Sequence, residues 1–156
     1  MNRKHDSLAG SDMESQDERV KGVLLTMRRG NQDYDVILTD RRVIALYIGE
    51  RLDPVSSMLP DITGSRGDPQ AGSQWRAFYQ GKSTDDMLMG HQWNLAVPNE
   101  EIKSVTVTRY PQGGGELLFD TAKAGWLHFV FAFIPELKKA RMLIPQVFGE
   151  RAVIRT

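Results

Sequence analysis

The chain has 156 residues, twenty Lys and Arg against twenty Asp and Glu, and no cysteine. That length suits one folded domain with a single sizeable core. The even charge offers no basic excess for nucleic acid, and without Cys there is no disulfide, thiolate nucleophile or Cys-based zinc site.

Residues 1–18 are polar, carrying Asp6, Asp12, Glu14, Asp17 and Glu18 with few large apolar side chains, and are expected to form a disordered tail. They hold no apolar leader, and no later run approaches the roughly 18 apolar residues of a membrane span. A soluble, cytoplasmic protein is therefore expected, with residues 19–156 as its one domain.

Val20, Val23, Leu24, Leu25 and Met27 predict a strand over about 20–28, closed by the polar turn Arg28-Arg29-Gly30-Asn31. Two apolar, β-branched runs follow, over 34–39 and 42–49, on either side of the polar break Thr39-Asp40-Arg41-Arg42. They predict a hairpin, and with the first strand a three-stranded antiparallel unit. Residues 50–91 are polar, punctuated by Pro54, Pro60, Pro69 and several Gly, and without a sustained period. A structureless loop in a compact domain rarely exceeds about 12–15 residues. The segment reads either as a mobile insertion or as one docked on the body through Trp75-Arg76-Ala77-Phe78-Tyr79, as a short strand or helical turn, since such rings are costly to leave in water.

Regular structure resumes at Gln92–Val97 and continues in a strand over Ser104–Tyr110. Pro111-Gln112-Gly113-Gly114-Gly115 is a turn, Glu116–Asp120 the next strand, and Trp126–Phe133 the last. In that last strand Leu127, Phe129, Phe131 and Phe133 alternate with Trp126, His128, Val130 and Ala132, so period two assigns the three Phe to the core face. Pro135 and Glu136 then suit the first turn of a helix. Leu137, Ala140, Ile144, Val147 and Phe148 recur at helical spacing, with Lys138, Lys139 and Gln146 facing away. Pro145 predicts a kink or break near Arg141–Ile144, and Gly149 a stop.

The apolar strand ending in Leu38-Thr39, the Arg-bearing turn and the second apolar strand resemble the signature of bacterial pleckstrin-homology (PH) and GRAM-type domains. Leu95-Ala96-Val97-Pro98-Asn99-Glu100-Glu101-Ile102 is similar to the segment that leads into a later strand of such domains. The resemblance covers about residues 19–149, and the long insertion departs from it. It implies a mainly β fold with one C-terminal α-helix, a PH-like seven-stranded antiparallel sandwich or barrel capped by that helix. It further implies a non-enzymatic interaction module that binds a protein partner or self-associates through a sheet edge. The alternative is peripheral membrane binding through anionic lipid headgroups.

A headgroup site would draw on Lys21, Arg28 and Arg29, because phosphate needs converging charge-assisted donors. Arg41 and Arg42 belong to the next turn, at the opposite end of a meander, and are not expected to join them. Solvated turn charges are the competing reading. A partner surface would use Trp75, Phe78, Tyr79 and Trp93, with Met87, Leu88 and Met89, against the plainer reading that these side chains plug the sandwich. The three His do not build a site. His5 lies in the tail, His128 on the solvent face of the last strand, and His91 with Asp85 and Asp86 falls short of a metal ligand set. No Gly-x-Ser-x-Gly elbow is present, and no helix follows Gly113-Gly114-Gly115 to make a phosphate cradle. No catalytic residue, metal or cofactor is therefore expected. A small hydrolase or transferase with its site in residues 50–93 remains as a third class, which fold alone does not exclude.

Overall fold

The computed structural model describes residues 18–50 and 72–156. The tail up to residue 17 and the stretch 51–71 of the predicted insertion lie outside the described residues. Val20–Arg29 forms β1, Gln32–Thr39 β2 and Arg42–Glu50 β3, paired antiparallel in succession. Ser73–Tyr79 is helix α1 and Thr84–Leu88 helix α2. Leu95–Pro98 is β4, and a short 3-10 turn, Asn99–Glu101, leads into β5 at Ile102–Arg109. Gly115–Thr121 is β6, Gly125–Phe131 β7 and Ile134–Phe148 helix α3. A second 3-10 turn, Gly149–Arg151, brings the chain into β8 at Ala152–Arg155.

The chain is mainly β, with the eight strands in one open sheet of order β4-β3-β2-β1-β7-β6-β5-β8 and a C-terminal helix. Two halves meet where β1 pairs β7 over Met27↔Phe131 and Arg28↔Val130. The cause is a bulge in β1. The β1–β2 register shifts between Leu24 and Met27, and Thr26 takes φ 54°, a left-handed conformation that a β-branched residue rarely adopts. Three contacts hold it there. Thr26 N–H donates to Asp35 Oδ1 at 3.0 Å, Leu25 N–H donates to Glu136 Oε1 of α3 at 2.8 Å, and Lys139 Nζ donates to Val23 O at 3.0 Å. The bulge thus serves as the corner of the sheet and as the dock for the start of α3.

Between the halves lies the main core. Tyr34, Val36 and Leu38 of β2 and Val43 and Ala45 of β3 face Val105, Val107, Leu117, Phe119, Phe129 and Phe131, with Leu137, Ala140, Ile144 and Phe148 of α3 closing it. The intervening residues of β2 and β3 are buried as well. Ile37, Ile44, Leu46 and Ile48 form a second cluster with Tyr79 of α1, flanked by Trp75, Met87, Leu88 and Ala96. That explains why β2 and β3 read as unbroken apolar runs, the pattern of strands covered on both faces. In β7 the alternation holds strictly, with Leu127, Phe129 and Phe131 buried and Trp126 and His128 exposed.

The sequence-based expectations are corrected at four places. Phe133 is 37% exposed rather than part of the core row, because β7 ends at Phe131 and Phe133 precedes α3, its carbonyl accepting from Glu136 and Leu137 N–H. Helix α3 does not break before Pro145 but runs through it to Phe148. An eighth strand adds to the predicted seven and lies parallel to β5, through pairs such as Val105↔Ala152 and Val107↔Ile154. Gly149 at φ 58° ends α3 in a conformation glycine adopts freely, and Arg151 fixes the return by donating to Asn99 O and Ile102 O. Finally, Glu18 is no part of a loose tail, since it is bonded into the body as described next.

Candidate functional site

The segment after residue 71 folds over the outer face of the first half-sheet, and the candidate site forms beneath and beside it. Helix α1 is tied down by Arg76, whose Nε donates to Asp35 Oδ2 at 2.7 Å and whose Nη2 donates to Asp35 Oδ1 and Thr26 Oγ1, both at 2.9 Å. Asp35 is buried, so this forked pairing satisfies a carboxylate that would otherwise be costly to enclose. The carboxylate also holds the guanidinium pKa above its ordinary value, with partial burial opposing the shift. The same three residues therefore fix the strained bulge and the helix above it.

Asn94 fastens the other end. Its Oδ1 accepts from Tyr47 N–H at 2.7 Å, its Nδ2 donates to Met87 O at 2.8 Å, and it meets the Tyr79 hydroxyl at 3.1–3.2 Å. Tyr79 in turn donates to Tyr47 O at 3.0 Å. Burial pushes the Tyr79 phenol pKa up, against a smaller opposing effect of the Asn94 hydrogen bond, so it stays a donor. Helix α2 is held by Arg42, whose Nε and Nη2 fork onto Glu18 at 2.8 and 3.0 Å, while Nη2 also reaches Thr84 Oγ1 and Asp85 Oδ1. Burial alone would raise the Glu18 pKa. Hydrogen bonds from Arg42, Thr84 and Thr39 outweigh it and hold the carboxyl below its usual range.

Two surfaces result. One is a cavity of about 520 Å³ between α1 and the sheet, walled by Val23, Ile37, Leu46 and Met87 with the Asp35–Arg76 pair at one side. The other is a continuous aromatic cluster at the edge of the cover. His91 stacks on Tyr47 at 4.2 Å and 22°, Trp93 meets Tyr47 edge-on at 5.1 Å, and Trp75 meets Tyr47, His91 and Phe78 edge-on at 5.5, 5.0 and 5.6 Å. Such pairs rigidify large side chains. Phe78, Trp93 and Met89 nevertheless remain 45, 36 and 85% exposed.

The predicted contact residues Trp75, Phe78, Tyr79 and Trp93 are thus brought together, in two different situations. Tyr79 is a buried pillar and Trp75 half-buried, whereas Phe78 and Trp93 present their rings outward. The predicted headgroup residues are not gathered. Lys21 stands near the start of β1 and Arg28 and Arg29 at its end, some seven residues or roughly 23 Å along the strand. His128 pairs with Glu116 on the outer face of the second half-sheet. His91 uses Nδ1 to accept from Trp93 N–H, and among the described residues no group of His, Asp and Glu could hold a metal ion.

Sequence reasoning missed Asp35, Arg76, Asn94 and the Glu18–Arg42 bond. A signal was present for the first of these, since Asp35 is a lone charge inside an apolar run and calls for a buried partner. No helix among the described residues is long and apolar enough to cross a membrane. No family model matches the chain, and no curated protein matches it.

Proposed function

We propose that the chain is a PH-like, non-enzymatic interaction module, and that its contact surface is the aromatic edge of the α1–α2 cover. The strand succession β4-β3-β2-β1-β7-β6-β5 with a helix after β7 supports the PH-like reading, β8 being an addition to that plan. The observation that carries the function is the exposure of Phe78, Met89 and Trp93 on a base of interlocked rings. Rigid aromatic anchors lose little conformational entropy on binding and commonly dominate protein contacts. The Asp35 carboxylate and Arg76 guanidinium beside the cavity are committed to each other, which favours binding over proton transfer. The partner is a protein, in the first instance a second copy of the chain.

Light scattering over a concentration series tests this. Association that is lost in Phe78→Ser and Trp93→Ser chains is the expected result. A strict monomer, or association indifferent to both substitutions, contradicts it. Lipid binding by Lys21, Arg28 and Arg29 acting together has less support, because one headgroup does not span the length of β1.

A further inference from the structure

Neither Phe78 nor Trp93 lines the cavity beneath α1, so it is distinct from the proposed partner surface. Its floor spans three strands: Val23 of β1 is in register with Ile37 of β2, and Leu46 of β3 with Asp35, which shares the Ile37 face. Above the floor, Ser73, Arg76, Ala77 and Gln80 recur at the three- and four-residue spacing of one helix face. Two long side chains of α1 reach the sheet and set the gap. Arg76 ends on Asp35 and Thr26, and the Tyr79 hydroxyl donates to Tyr47 O at 3.0 Å. Ser73 and Ala77 are too short to fill the interval, and the space left is the cavity of about 520 Å³. That volume falls within the roughly 300–1,000 Å³ of pockets that hold small organic ligands. Ala77 and Gln80 are exposed, which leaves entry along α1.

Among the described residues, Asp35 and Arg76 are the only charged groups in the wall, and each neutralises the other. Asp35 Oδ1 accepts from Thr26 N–H and Arg76 Nη2, and Oδ2 accepts from Arg76 Nε, so both oxygens are occupied. A charged ligand would lose its hydration here without meeting an unpaired opposite charge. Water fares little better, since an ordered buried water needs about two to four polar partners. Val23, Ile37, Leu46 and Ala77 present hydrocarbon, and Met87 of α2 adds a thioether that adapts to the shape of a neighbour. Exchange of loosely held water for apolar surface is favourable in such a space.

We infer that this cavity is a binding site for an uncharged, mainly apolar small molecule, held between α1 and the floor of Val23, Ile37 and Leu46. The Asp35–Arg76 pair has two consequences there. It fixes the helix that roofs the site, and by leaving no charge uncompensated in the wall it selects against ionised ligands. The site is independent of whether the aromatic edge binds a second copy of the chain.

Titration of the full chain with Nile red, an uncharged dye that fluoresces in apolar surroundings, followed by displacement with 1-decanol or decanoate, tests the site. Saturable binding that 1-decanol reverses about tenfold more readily than decanoate is the expected result. Ala77→Trp puts bulk into the mouth and is expected to weaken dye binding about tenfold, while Gln74→Trp, exposed on the same helix and not lining the cavity, leaves it unchanged. Phe78→Ser and Trp93→Ser, which probe the partner surface, are also expected to leave it unchanged, so the two readings fail separately. Ala77→Cys gives a readout that needs no bulky side chain: 1-decanol should slow its modification by a thiol reagent and leave Gln74→Cys unaffected. Absence of saturable dye binding, decanoate as effective as 1-decanol, or no protection of Ala77→Cys overturns the site. So does a loss in Phe78→Ser or Trp93→Ser as large as in Ala77→Trp. Thermal melts of each variant separate loss of binding from loss of fold.

Discussion

In the first half-sheet β2 and β3 are buried on both faces, whereas in the second β5, β6 and β7 are buried on one. In β3 the residues pointing away from the main core, Ile44, Leu46 and Ile48, are enclosed by α1 and α2. At the corresponding face of β6 and β7 stand Glu116, Asp120, Trp126 and His128, with Trp126 64% exposed. Both halves share one connected sheet, so the difference comes from composition: continuous apolar runs require a cover, and strict alternation does not. The cover is where the proposed partner surface forms, while the bare half leaves its outer face to solvent.

Substitutions at matched positions should separate the halves. Ile44→Ala removes a side chain that is fully enclosed under the cover, and is expected to cost about 2–4 kcal/mol in urea unfolding. Leu118→Ala, on the outer face of β6 and only half-buried, should cost well under half of that. Equal losses would mean that the two outer faces are equally packed. Asp35→Ala strands the Arg76 guanidinium and the Thr26 N–H, and should destabilise by roughly 2–3 kcal/mol. Its effect should be concentrated on the cover, seen as faster hydrogen exchange in residues 72–94 than in β6. Asn94→Ala, which leaves Tyr47 N–H without its acceptor, should cost about 1–2 kcal/mol by the same measurement.

Acid should loosen the covered half through Glu18. Its carboxyl is held below the ordinary glutamate value of 4.5 in the folded chain, so the unfolded chain takes up the proton first as pH falls. The contribution is therefore complete above pH 4.5 and is lost as pH drops through the lowered folded value. Glu18→Gln should flatten that part of the stability–pH curve, and an unchanged curve would show that the Arg42 bond carries no such linkage. Trp126→Ser, at the bare face, should change stability by no more than about 0.5 kcal/mol.

Much of the strand framework was legible from the sequence, because period two and Gly- or Pro-bearing turns act locally. The hairpin at 34–49 and the core row Leu127, Phe129 and Phe131 are cases in point. Extending that row to Phe133 failed because a period does not announce where pairing stops. The candidate site was less legible, since its fastenings join residues remote in the chain: Asp35 to Arg76, Glu18 to Arg42 and Thr84, and Asn94 to Tyr47. Which aromatics gathered at residues 75–93 could be seen, but not that Tyr79 supports the cover while Phe78 and Trp93 face outward. The bulge at Thr26 had no sequence signal, as a β-branched residue is among the least expected at positive φ.

Because the chain contains no cysteine, single thiols can report burial directly. The most direct measurement is the rate at which a thiol reagent modifies native Ile44→Cys and Trp126→Cys chains. A cover closed over the first half-sheet predicts immediate reaction at position 126 and reaction at position 44 only as fast as the cover opens. Comparable rates at the two positions under native conditions would contradict it, and with it the surface proposed to bind a partner.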